Sequence, residues 1–156
     1  MAVCQFAQVV FEVEWHPVMW ALPAVPALLG VAAVVAYYFI RRGGSRILMV
    51  SILMISAFLS GALLLGNILP NYALFQAAKR GAYQVVEGTI TDFHPQLRDQ
   101  RTYESFTVSG ITFRYSTYEM TVAFHDTAGF GGPIHAGMHV RIAYLGNRIL
   151  KLEECR

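Results

Sequence analysis

The stretch Tyr37-Tyr38-Phe39-Ile40-Arg41-Arg42-Gly43-Gly44-Ser45-Arg46-Ile47-Leu48-Met49-Val50 decides the architecture of the chain. It joins two apolar runs, Val18–Ile40 and Ile47–Leu69, neither of which holds a charged residue. Each is ~23 residues long, and a helix of that length covers a hydrocarbon layer of ~30 Å with some tilt. Gly43 and Gly44 permit a sharp reversal, while Arg41, Arg42 and Arg46 resist translocation. The expectation is a transmembrane helical hairpin over residues 17–70, with spans 18–40 and 47–69 and its arginine turn in the cytoplasm. Both termini then lie on the far side, which in a bacterium is the periplasmic side of the inner membrane. Lys79 and Arg80 pull weakly the other way, but they are fewer and ~10 residues beyond the second run.

Working outward, the first run starts among Pro17, Pro23 and Pro26. Proline suits the first turn of a helix. Pro26 lies deeper, and is expected to kink the helix or shorten its regular part. Trp15 and Trp20 at one end, and Tyr37, Tyr38 and Phe39 at the other, form the aromatic belts of a spanning helix. Pro70 and Asn71 are expected to end the second run. Small residues repeat along it (Ser56 and Ser60, Ala57 and Gly61, Ala62 and Gly66), and the first run offers Gly30, Ala33 and Ala36, so the two backbones can approach closely. No Asp, Glu, Lys, Arg or His lies inside either run, which argues against ion or proton transport.

Composition agrees. Apolar residues make up 55% of the 156 and charged residues 14%, more apolar than a soluble domain of this size can bury. The net charge of +2 belongs to the membrane segment, because residues 82–156 carry seven basic side chains against eight acidic ones. A nucleic-acid-binding domain should itself be basic, so that class is set aside.

Residues 1–16 form a strand-like tail. Val9, Phe11, Val13 and Trp15 alternate with Val10, Glu12 and Glu14, which favours a strand over a short interfacial helix. A lone strand needs a sheet, and the only one on offer is C-terminal. With no basic start and a late, long apolar run, a cleaved signal peptide is not expected. The two cysteines, Cys4 and Cys155, lie near opposite ends. Two free thiols are the first expectation. A disulfide between them, pinning the tail beside the last strand, is the alternative.

Residues 71–81 suit a linker helix closed by Gly81. From Ala82 the pattern is β: Tyr83–Phe93 with a bulge at Gly88, Glu104–Val108 and Ile111–Ser116 around Ser109-Gly110, Met120–His125, then Met138–Leu145 and Arg148–Glu153 around Gly146-Asn147. Five or six strands over residues 82–156 suggest a small OB-like β-barrel, with an open sandwich or curled sheet as the alternative.

Two spans followed by such a domain, with Gly137, Val140 and Ile142 as Gly-x-x-Val-x-Ile opening the last hairpin, resemble NfeD-like membrane proteins and other small bacterial inner-membrane proteins of the same layout. The resemblance covers Ile47 to Glu153 and implies an OB fold behind transmembrane helices. The strand-like tail and the Gly-Gly-Pro loop depart from NfeD, so no partner and no functional residue is carried over.

Candidate chemistry is sparse. His94, His125-Asp126, His135 and His139 are metal-capable types without ligand spacing, and surface or hydrogen-bonded histidines are expected. Gly129-Phe130-Gly131-Gly132-Pro133 lacks the Lys-Ser/Thr of a phosphate loop and is expected to be a turn with special backbone angles, or a partner-binding loop. Residues 94–102 are the most polar stretch, with Arg98 and Arg101 as anchors of a contact surface that Phe130 can join. No nucleophile elbow or acid–base pair appears, so neither an enzyme nor a cofactor or metal is expected. The leading expectation is a membrane-anchored interaction module that meets a protein partner, or a second copy, at the periplasmic face. An immunity protein against a toxin is the alternative, and a metal-dependent enzyme stands third.

Overall fold

A computed structural model describes residues 7–41, 45–98 and 102–155. The chain divides into two compact units. One is Trp15–Tyr72, and the other joins the described residues up to Glu14 with those from Ala73 onward.

In the helical unit, a 3-10 turn at Pro17–Trp20 leads into helix α1, Ala24–Arg41. Pro26 is the third helical residue, where its missing N–H would have had no intrahelical partner. It therefore shortens the regular helix and does not kink it. The α1 helix packs against α2, Arg46–Leu63. Gly30 and Ser56 are both buried at this contact, and a β-carbon on Gly30 would overlap the Ser56 hydroxyl. Ser56 Oγ donates to the Ile52 carbonyl at 2.9 Å, and Ser51 and Ser60 likewise donate to carbonyls four residues back. These hydroxyls need no water. Around this contact the surface is apolar, with Leu28, Leu29, Phe39, Ile47 and Phe58 all exposed.

Pro70 does not end the second helix. A π turn, Leu64–Ile68, follows α2 directly, and helix α3 continues through Leu69–Lys79. The Leu69 N–H reaches back five residues to the Leu64 carbonyl, and this wider turn precedes the residue that has no N–H to give. Asn71 Nδ2 then donates to the Asn67 carbonyl at 2.8 Å. Arg46–Lys79 is thus one continuous run of 34 residues, long and apolar enough to cross a membrane. It closes at Gly81 (φ 69°): the Gly81 N–H bonds the Ala78 carbonyl and the Ala82 N–H the Ala77 carbonyl. That pair of bonds is a Schellman cap.

The other unit is a six-stranded antiparallel sheet in the order β1-β6-β5-β2-β3-β4, built from β1 (Ala7–Glu12), β2 (Gln84–His94), β3 (Glu104–Val108), β4 (Ile111–Tyr115), β5 (His139–Leu145) and β6 (Arg148–Cys155). The N-terminal tail is therefore a strand. Ala7 pairs with Cys155 and Glu12 with Lys151, and the Val13 N–H extends the ladder to the Leu150 carbonyl. Alternation sends Phe106 and Val108, Phe113 and Tyr115, and Val140 and Ile142 into one core with Ile90, Ile149 and Leu152. Phe113 meets Tyr144 edge-on at 5.3 Å, and Phe124 meets Phe11 at the same distance. The ladder has two ends, β1 and β4. Asn147 Nδ2 bonds the Arg114 carbonyl, and the Phe124 N–H bonds the Ile149 carbonyl, which curls the β4 end toward β6.

Two strand expectations change. Gly88 is not a bulge, because its pairing with Val140 sits inside an unbroken β2–β5 register. Its missing side chain makes room for Ser109 and Val108. The irregularity lies between Thr91 and His94, where Asp92 takes φ 48°. Met120–His125 is not a strand: the Phe124 bond anchors it to β6, and Ala123 and Phe124 are buried without a ladder.

The Gly30–Ser56 contact yields a reciprocal test. Gly30→Ala should destabilise the helix pair by about 1–3 kcal/mol through overpacking, and Ser56→Gly should restore much of the loss in the double variant. Thermal unfolding in detergent checks both.

Candidate functional site

Apart from the helical insertion between β1 and β2, the longest connections of the sheet are 95–103 and 116–138, and one buried carboxylate ties them together. Glu104 starts β3 on the core-facing side and is fully buried. One of its oxygens accepts N–H bonds from Gln96 at 3.2 Å and Ala128 at 2.8 Å, and the other accepts the Tyr115 hydroxyl. Gln96, also fully buried, accepts from Ser116 Oγ at 3.1 Å and the Thr117 N–H at 3.3 Å. Thr117 and Thr127 hydroxyls meet at 2.7 Å. A β-carbon on Gly129 would strike the Gln96 carbonyl, and one on Gly132 the Asp126 carbonyl, so both glycines are required by backbone packed on backbone. Gly131 supplies φ 93° at the end of the short 3-10 turn Ala128–Phe130. The glycine-rich run is thus a pinned loop.

Above this base sits a small surface. Arg98 Nε donates to the Gly129 carbonyl at 2.6 Å, and its guanidinium lies 5.9 Å from the Phe130 ring. Phe130 meets Tyr118 edge-on at 6.0 Å. Leu97, Tyr118 and Phe130 are 56%, 51% and 42% exposed, so apolar and aromatic surface faces solvent beside a guanidinium. The structure brings Arg98 and Phe130 together. Arg101, Arg42 and Cys4 lie outside the described residues. Of the other topology determinants, Arg41 ends α1 and Arg46 begins α2.

Sequence reasoning missed two features. One is a polar cleft of about 410 Å³ lined by Tyr103, Arg114, Glu119, Asn147 and Arg148. Arg114 stacks over Tyr103 at 4.2 Å, and Arg148 pairs with Glu119. These residues come from separate segments, and no local pattern announces them. The other is Glu87, His139 and Cys155, whose ligand atoms lie within 4.8 Å of one another. His94, His125 and His135 instead turn Nδ1 toward the carbonyls of Asp92, Ala123 and Ala136. Cys155 is disulfide-bonded, which corrects the expectation of a free thiol there. No family model, curated protein or solved structure matches the chain.

Burial, and then the hydrogen bond and charge of Glu104, hold the Tyr115 phenol well above its ordinary range. The proton is bound more tightly in the folded protein than in the unfolded chain, where the group ionises near pH 10. Stability from this pair is therefore full below about pH 10 and falls as pH rises beyond it. Tyr115→Phe should start less stable but lose less between about pH 9 and pH 11, as near-ultraviolet circular dichroism against pH would read. Glu104→Gln presents an amide NH₂ to donors that need an acceptor, and should cost about 1–3 kcal/mol in thermal unfolding.

Proposed function

We propose that the chain is a two-span membrane anchor that holds an OB-like β domain at the periplasmic face, where Leu97, Arg98, Tyr118 and Phe130 engage a protein partner. The observation that carries the interaction reading is the pinned surface itself. Aromatic side chains with an arginine are the types that dominate binding energy at protein interfaces. The Glu104 network fixes their supporting loops before any partner arrives, which reduces the ordering cost of binding.

The anchor rests on the β1–β6 pairing. These strands lie on opposite sides, in sequence, of Arg46–Lys79, the one helix among the described residues that is long and apolar enough to cross a membrane. A single crossing would separate them by a bilayer, so their pairing supports an even number of crossings, with α1 as the second. Arg41, Arg42 and Arg46 favour the cytoplasm for the turn. The OB-like reading draws on strand order. A three-strand meander, β2-β3-β4, pairs through β2 with β5 of a C-terminal hairpin, and β1 covers the free edge of β6.

Two measurements test this. A reporter active only outside the cytoplasm should work when fused after Arg156 and fail when fused after Ser45; the reverse pattern overturns the orientation. A photo-crosslinking residue at Phe130 should give protein adducts in cells, while one at exposed Val85 on β2 should not. Equal labelling at both sites, or none at Phe130, removes the interaction reading.

A further inference from the structure

We propose that Glu87, His139 and Cys155 form a metal site that becomes available when the Cys155 disulfide is reduced, and that it takes a divalent cation of Zn²⁺ type. The inference stands apart from the partner surface and rests on sheet register.

The β2–β5 ladder pairs Thr89 with His139, and Glu87 lies two residues along on the same face. The β5–β6 ladder pairs Val140 with Glu154, so the next step places Cys155 opposite His139. The three side chains therefore share the face away from the core residues Val140 and Ile142. Their ligand atoms lie within 4.8 Å of one another, and each is half-buried.

His139 is held as a ligand is usually held. Thr89 Oγ1 sits 3.3 Å from its Nδ1 and can accept that proton, which leaves the lone pair on Nε2. Nε2 is enclosed, has no hydrogen-bond partner among the described residues, and lies 3.7 Å from a Glu87 oxygen. A Zn²⁺ ion with Zn–S ~2.3 Å and Zn–N ~2.0 Å holds ligand atoms ~3.5 Å apart in a tetrahedron, so the set has to close by about 1 Å. A rotamer change at Glu87 provides that movement. A thiolate, a carboxylate and a neutral imidazole give an uncharged complex with a divalent cation, and the fourth position falls to water.

In the oxidised protein the Cys155 sulfur is bonded to sulfur and carries no thiolate. A dithiol reductant changes that. Its two thiols pass two electrons and two protons to the disulfide, giving two protein thiols and the reductant's own disulfide. The metal then displaces the Cys155 thiol proton to solvent and binds the thiolate. Because the cation binds only the reduced form, it shifts the thiol–disulfide equilibrium toward that form. The site is thus a device in which redox state gates metal occupancy.

The test uses full-length protein in detergent, with Co²⁺ as a spectroscopic probe. Phosphine-reduced protein, freed of reductant, should bind one Co²⁺ per chain with a thiolate-to-metal charge-transfer band, and oxidised protein should show none. Cys4→Ser removes the only other cysteine of the chain and should give the band without any reductant. His139→Ala and Glu87→Gln should each weaken binding tenfold or more, with unchanged far-ultraviolet circular dichroism confirming the fold. A band that survives in Cys155→Ser, no band in either the reduced protein or Cys4→Ser, or unchanged affinity in His139→Ala would overturn the proposal.

Discussion

The antiparallel ladder between β1 and β6 is the constraint on which the rest of the molecule depends. It joins residues that precede both helices to the last strand of the chain. The helices are consequently an insertion between two parts of one sheet. On the two-span reading proposed above, such an insertion leaves and returns on one side of the membrane, which a pair of antiparallel helices does and a single spanning helix does not. The same ladder answers a problem of sheet chemistry. Without β1, the β6 edge would present a row of unpaired N–H and C=O groups to other chains. Phe11 adds a ring against Phe124, so the tail contributes packing as well as hydrogen bonds.

Within the sheet, polar burial is concentrated where the connections are longest. A buried carboxylate is expensive unless both of its oxygens are hydrogen-bonded. Glu104 meets that condition with two backbone N–H groups and a phenol, and in doing so ties loop 95–98 to loop 128–132. Gly129 and Gly132 are the steric complement of this arrangement, since any side chain there would drive the two backbones apart. A glycine-rich sequence is often taken as a sign of freedom, but here it is a condition of close packing. The exposed Arg98, Tyr118 and Phe130 inherit their placement from that base.

Much of this was legible in the sequence, for identifiable reasons. The two apolar runs, Gly81, Ser109-Gly110 and Gly146-Asn147 each report a local backbone requirement. Ser109 and Gly110 do take φ 48° and 83° between their strands, as a type I′ turn demands. Glu104 was half legible, because alternation with Phe106 and Val108 places it on the core side. What fails is whatever depends on register or on a neighbouring turn. Pro70 looked like a stop, because nothing local reveals a π turn that accommodates its missing N–H. Gly88 looked like a bulge, although its reason is the approach of Ser109 from the β3–β4 turn. Met120–His125 has strand composition but forms no ladder among the described residues.

The Glu87–His139–Cys155 row marks the limit of sequence reading most clearly. These residues are 52 and 16 positions apart in a chain with five histidines and ten acidic side chains, so spacing selects no set of ligands. Two ladders select it. The first sets Thr89 against His139 and, by alternation, brings Glu87 to the same face; the second brings Cys155 to the other side of the imidazole. The β1–β6 ladder extends the row, because Ala7 pairs with Cys155. One edge pairing therefore serves two ends. It joins the segments that precede and follow the helices, and it borders Cys155, which the β5–β6 ladder sets beside an enclosed imidazole nitrogen. A change in the redox state of Cys155 consequently acts on a position where the sheet, the tail and the His139 ring already meet.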